Sequence, residues 1–126
     1  MKKTLPLVLL LLTLGCQPTL NQEMTKQLDM NESATYDIPA ISKEQTINVS
    51  VTAVSGKVNI HVFLRKDGTA VENAINQKKP LDKVLDHKLA VPEANLKVTI
   101  PANEAAQVRV EAAEGKKAEF KMKLTN

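Results

Sequence analysis

Tryptophan is absent from this chain, and its only other aromatic side chains of that class are Tyr36, Phe63 and Phe120. Modules that hold single-stranded nucleic acid or sugars stack bases and rings on aromatic platforms. Three rings can hardly build one, so no nucleic-acid partner is expected. Cysteine occurs once, at Cys16, which rules out an intramolecular disulfide. With four glycines, the chain carries no phosphate-cradling loop, no calcium loop and no Gly-x-Ser-x-Gly nucleophile turn. Charge of one sign is also scarce. The formal +3 includes Lys2 and Lys3; without them 15 basic residues stand against 14 acidic ones. A balance of +1 is no footprint for a polyanion.

The one long apolar run is Leu5–Leu14, broken only by Pro6 and Thr13. As a helix it would reach roughly 15 Å, about half of a hydrocarbon core. It is too short to span a membrane but fits the apolar region of an export signal, with Lys2 and Lys3 as the positive start. Thr13-Leu14-Gly15-Cys16 closes it. That ending resembles the bacterial lipoprotein lipobox, with Leu14 at the second place and Thr13 at the usual leucine place. The resemblance implies cleavage before Cys16 and acylation of its thiol. Acylation also gives a lone thiol in an oxidising compartment a reason to be there. Several acyl chains on one cysteine exceed the marginal hold of one chain, at roughly 0.8 kcal/mol per buried CH₂. In a Gram-negative cell, Gln17 after the cysteine resembles outer-membrane rather than inner-membrane sorting. The expected organisation is a signal over 1–15, a tether over 16–25 and one domain over 26–126.

From Lys26 onward the hydrophobic period is two. Leu28 and Met30, a turn at Asn31-Glu32-Ser33, then Ala34, Tyr36 and Ile38 predict a first hairpin. Ile47, Val49, Val51 and Ala53 share one face of the next strand. After Ser55-Gly56-Lys57, Val58, Ile60, Val62 and Leu64 share one face, leaving Asn59, His61, Phe63 and Arg65 toward water. Thr69 and Glu72 have capping-box spacing, predicting one short helix over about 70–78. Residues 80–89 suit a helix from Pro80 or a strand; a strand over 84–91 is favoured because a sandwich needs a partner for the next one. Leu96, Val98 and Ile100, then Val108, Val110 and Ala112, then Ala118, Phe120, Met122 and Leu124 predict three more strands. Lys117, Lys121 and Lys123 on the last discourage edge pairing. The expected fold is all-β, an antiparallel jelly-roll-like β-sandwich of about seven to eight strands with one short helix.

The order of these features from about Lys26 to Thr125 resembles the bacterial pre-peptidase C-terminal domain, a jelly-roll-like β-sandwich. The stretches that carry it are Tyr36-Asp37-Ile38-Pro39, Ile47-Asn48-Val49-Ser50-Val51, and Ser55-Gly56 into Val58–Leu64. Val98-Thr99-Ile100-Pro101-Ala102, Val108-Arg109-Val110-Glu111 and the closing strand complete it. Members often carry acidic residues and a tyrosine in the third stretch, where this chain has Lys57, Asn59 and His61. The resemblance implies an extracytoplasmic setting and company with secreted enzymes.

No catalytic constellation emerges. His61 and His87 are the only histidines, too few for zinc without a third ligand such as Asp82 or Asp86, and are expected as solvated surface. Asp82 and Asp86 would lie one helical turn apart in a helix, but Lys83 and Lys88 interleave as on ordinary charged surface. Lys78, Lys79, Lys83 and Lys88 form a modest basic cluster, more in keeping with solvated surface than with a lipid or cell-wall contact. Asn31-Glu32-Ser33 and Asn48-Val49-Ser50 match the glycosylation sequon, discounted beside a bacterial-type signal. The chain is thus expected to be a non-enzyme without metal or cofactor: a lipid-anchored envelope protein, held to the membrane through Cys16, that binds an envelope protein or polymer. Alternatives are a binding accessory of a secreted protease or other hydrolase and, less favoured, a small metal protein or hydrolase.

Overall fold

The computed structural model describes residues 19–126; Cys16 and the lipobox-like ending lie outside them. Eight antiparallel strands among the described residues form two sheets. In chain order they are β1 (Asn21–Leu28), β2 (Ser33–Ile38), β3 (Gln45–Ser55) and β4 (Val58–Leu64). One 3₁₀ turn and helix α1 (Gly68–Asn76) follow, then β5 (Val84–Val91), β6 (Glu93–Ile100), β7 (Ala106–Ala112) and β8 (Ala118–Thr125). The first sheet runs β1-β8-β3-β6 and the second β2-β7-β4-β5. This is the antiparallel sandwich expected from the period-two pattern.

The alternating residues do face inward. Ile47, Val49 and Val51 from β3 and Phe120, Met122 and Leu124 from β8 are buried in one cluster with Val58, Ile60, Val62, Val108 and Val110 of the other sheet. Small β-branched side chains fill most of this layer, so aromatic bulk is spared for one place. There the Tyr36 ring meets the Phe120 ring edge-on, centroids 6.5 Å apart, tying the two sheets together.

Several connections differ from the expectation. The first hairpin does not form: β1 pairs with β8 and β2 with β7, in opposite sheets. The cause is local. The Asp29 amide donates to Glu32 Oε1 at 2.8 Å, the Glu32 amide to Asp29 O, and Asn31 takes φ +62°. That turn ends β1 at Leu28 and throws Met30 into solvent, 61 % exposed. The β3–β4 turn likewise crosses between sheets. β1 opens at Asn21, inside the stretch read as tether. The ambiguous segment is strand from Val84 to Val91, so Asp82 and Asp86 do not share a helix face.

α1 begins at Gly68, and the expected capping box is not made. Asp67 is the N-cap and no side chain bonds there. Glu72 has been drawn elsewhere. Its Oε2 accepts a 2.7 Å hydrogen bond from Arg109 Nε on β7. With Asp67 as the cap, Glu72 stands two places beyond the third helical position that a capping box requires, which leaves its carboxylate for the guanidinium.

Candidate functional site

The outer face of the second sheet departs most from the sequence reading. Asn59, His61 and Phe63 on β4 were expected to meet water, yet Phe63 is 1 % exposed and His61 2 %, and Arg109 beside them on β7 is 4 % exposed. Helix α1 covers them. Its Val71 is buried, and a side chain at Gly68 would lie 3.3 Å from Gln107 Oε1 and 3.6 Å from the Phe63 ring. The stripe Val71, Ala74 and Ile75 needs an apolar seat, and Phe63 supplies one. A helix with such a stripe was the sequence signal that one strand face is not open.

Beneath the helix runs a chain of polar contacts. Arg109 Nε bonds Glu72 at 2.7 Å and its Nη1 bonds Glu111 Oε1 at 3.3 Å. Asn59 Nδ2 reaches the same Glu111 oxygen at 3.4 Å, and Asn59 Oδ1 accepts the Ala90 amide at 2.7 Å. That last bond belongs to a bulge. Ala90 adopts φ +52° and the β4–β5 register shifts between Val58 and Ile60. Bulges re-aim side chains, and here Leu89 is left 53 % exposed.

His61 lies opposite His87 in the β4–β5 register, and their rings stack with centroids 5.9 Å apart and planes within 5°. Burial, then the Arg109 and His87 charges, push the His61 pKa down from 6.5 to about 4, against a weaker pull from Glu111. At neutral pH the ring is uncharged. Its Nδ1 is buried without a hydrogen-bond partner among the described residues. Among those residues no group of three or more His, Cys, Asp or Glu is placed to hold a metal ion.

Between the end of α1 and β5 lies a groove of about 620 Å³. Ala74, Ile75 and Leu81 form one wall, Leu89 the other, and Asn59, His61 and Glu111 the floor. Lys78 and Lys79 stand on the rim because of how the helix stops. The Lys79 amide donates to Ala74 O and the Lys78 amide to Ile75 O, with Lys78 at φ +55°. This is a Schellman ending with lysine where glycine is usual. Of the basic cluster, Lys78 and Lys79 therefore share a rim; Lys83 and Lys88 lie exposed before and within β5. Asp86 Oδ1 accepts the His87 amide at 2.8 Å, a local bond.

No family model and no curated protein sequence matches the chain. Among the solved structures that resemble it in fold are the following two. PliG from Aeromonas hydrophila, a periplasmic lysozyme inhibitor of g-type lysozyme, aligns over 85 % of this chain and 86 % of its own at 12 % identity, TM-score 0.58. The pre-peptidase C-terminal domain of collagenase from Bacillus anthracis aligns over 83 % of this chain and 89 % of its own at 7 % identity, TM-score 0.55. At such identities the likeness is one of fold, and it agrees with the resemblance carried by the strand pattern.

Proposed function

We propose that this chain is an exported, lipid-anchored and non-catalytic β-sandwich that binds a protein partner in the bacterial envelope. The groove beside β5 carries the reading. It combines open apolar wall (Ile75, Leu81, Leu89) with a polar floor, which is the make-up of a binding site rather than of a solvated strand face. An anchor on Cys16 would fix the domain at a surface, where high local concentration lets weak recognition suffice. In a Gram-negative cell that surface is the outer membrane, following Gln17. The experiment is photo-cross-linking in intact cells, with the anchor kept and a photoreactive residue at position 89. Capture of one envelope protein at 89, and not from a position on the first sheet, is expected; equal labelling from both faces would reject the site.

A second reading makes that partner a hydrolase. It is favoured by the neighbours: one is an inhibitor of a g-type lysozyme, the other a domain of a collagenase. Adding the purified chain to a g-type lysozyme clearing a cell-wall suspension should slow the clearing. Unchanged rates at a large molar excess would remove lysozyme as the partner and leave the first reading in place.

A further inference from the structure

We infer that the free edge of β5 takes up an extended acidic segment of the partner, whose apolar side chain enters the groove beside Leu89. The inference rests on the reading of the chain as a protein-binding domain and names the chemistry of what it binds.

Three observations converge on this edge. β5 is the last strand of its sheet, so its outer side is hydrogen-bonded to no strand among the described residues. Main-chain donors and acceptors left open in this way, the His87 amide taken by Asp86 excepted, are a template for an added strand. The second observation is apolar. Among the described residues four large hydrophobic side chains are exposed, and two of them, Leu85 and Leu89, sit on this strand. Leu89 lines the groove together with His61, and Leu85 stands where the β4–β5 register slips between Val84 and Asp86.

The third observation is charge. Lys78 and Lys79 stand on the groove rim, Lys83 precedes β5 and Lys88 lies within it, and none has a carboxylate within 4.0 Å among the described residues. The acids nearby do not answer them: Glu111 is held by Arg109, and Asp86 bonds the His87 amide. From 78 to 88 the chain carries four lysines against Asp82 and Asp86. A second copy presenting the same edge would meet like charges, which disfavours self-pairing. An acidic strand would meet complementary ones. Anionic lipid would be drawn by the same lysines, but a flat head-group layer makes no use of an open strand edge or of the groove.

The test uses the full chain in detergent micelles and a fluorescent synthetic peptide of alternating glutamate and valine. Controls are the same peptide with lysine for glutamate and one with prolines that remove main-chain donors. The acidic peptide should bind, weaken roughly tenfold for Leu89→Asp, and weaken at least as much for Lys78→Glu with Lys79→Glu. Leu89 is half exposed, so thermal melting should show both variants folded. Raising salt well past the point where the Debye length falls to about 3 Å, near 1 M, should also weaken binding. Equal binding by wild type and both variants would overturn the site. Equal binding of the proline peptide would overturn strand addition, and binding of the lysine peptide would overturn the charge argument. Vesicles of anionic lipid bound through the lysines, with the peptide unbound, would replace the partner by a membrane. If the position-89 cross-link captures a protein while the acidic peptide fails, this inference falls and the protein-binding reading stands.

Discussion

His61 and His87 face each other across β4 and β5 with their imidazoles stacked, one ring buried and the other exposed. They are 26 residues apart in sequence, and only the register of two strands joined through a helix brings them together. The buried ring has Arg109 on its other strand neighbour and an unpaired Nδ1. Neutrality is therefore the form the fold tolerates.

Acid should weaken the fold in a defined window. The His61 pKa is about 4 when folded and 6.5 when not, so between those values the unfolded chain binds more protons. The stability is fully present above pH 6.5 and is lost as pH falls toward 4. Solvent at the groove screens part of the effect, leaving about 2 kcal/mol. Urea midpoints across this range should show the loss. His61→Phe should flatten that profile and hold or raise stability at pH 7, because it removes an unpaired buried nitrogen costing about 1–3 kcal/mol. An unchanged profile in the variant would assign the acid sensitivity to other groups.

Arg109 and Glu72 fasten the helix to the sheet, and the two should not be equal in mutation. Glu72→Ala leaves a guanidinium that is 5 % exposed with Glu111 alone. Breaking a fully buried pair costs about 3–5 kcal/mol; with the Glu72 side chain 43 % exposed, about 2 kcal/mol is expected here. Amide exchange should quicken across α1 before it does in β7. The exposed Lys66–Glu104 pair, 2.9 Å long, is the control. Glu104→Gln should leave the urea midpoint where it was.

Lys78 closes a helix in a conformation that glycine adopts without cost. Lys78→Gly should raise stability by about 1 kcal/mol, read as a higher urea midpoint with an unchanged slope. The same change removes a cation from the groove rim. Keeping a strained lysine there makes sense if the charge is used, since strain of this kind gathers at working sites.

How far the sequence reached is clearest on β4. The inward residues Val58, Ile60 and Val62 were legible because alternation reports which side of a strand is apolar. What covers the other side is a tertiary matter. Period two at Asn59, His61 and Phe63 reads the same under water or under a helix. Pairing was hidden for a similar reason. Asn31-Glu32-Ser33 signals that the chain turns, but not whether it turns into the same sheet or across to the other. The strand at 84–91 was readable only by asking which element the sandwich lacked. The bulge at Ala90, which exposes Leu89, left no mark, because alanine is not a residue that announces φ +52°.

Gly56 is where the chain crosses between sheets from β3 to β4. It takes φ +74°, and a Cβ there would sit 2.5 Å from the Lys117 carbonyl oxygen and 3.2 Å from Ala118. Backbone cannot yield as a flexible side chain does. Gly56→Ala should cost about 2 kcal/mol or more, adding the clash to the left-handed penalty of about 1–2 kcal/mol. Gly115, at φ +66° with nothing within 4 Å of a Cβ, carries the conformational cost alone. Gly115→Ala should therefore shift the melting temperature less. Equal shifts would mean that the turn at Gly56 relaxes.

The proposed anchor predicts where the whole protein is found. Cys16 is the one thiol in the chain, so it is the only residue on which thiol-linked lipid could be carried. Cys16→Ser should abolish incorporation of labelled palmitate and move the protein from the detergent-extracted membrane fraction to the soluble exported fraction. The domain should stay folded, because among the described residues the buried core is built from side chains between Leu28 and Leu124, with Leu20 and Met24 packed against it. Thermal melting of wild type and variant should then coincide. If membrane retention persisted without label, the short run Leu5–Leu14 would be holding the chain uncleaved. Release with unchanged melting would separate where the domain is held from how it folds, and would make cross-linking from position 89 in that variant a measure of how much recognition owes to local concentration.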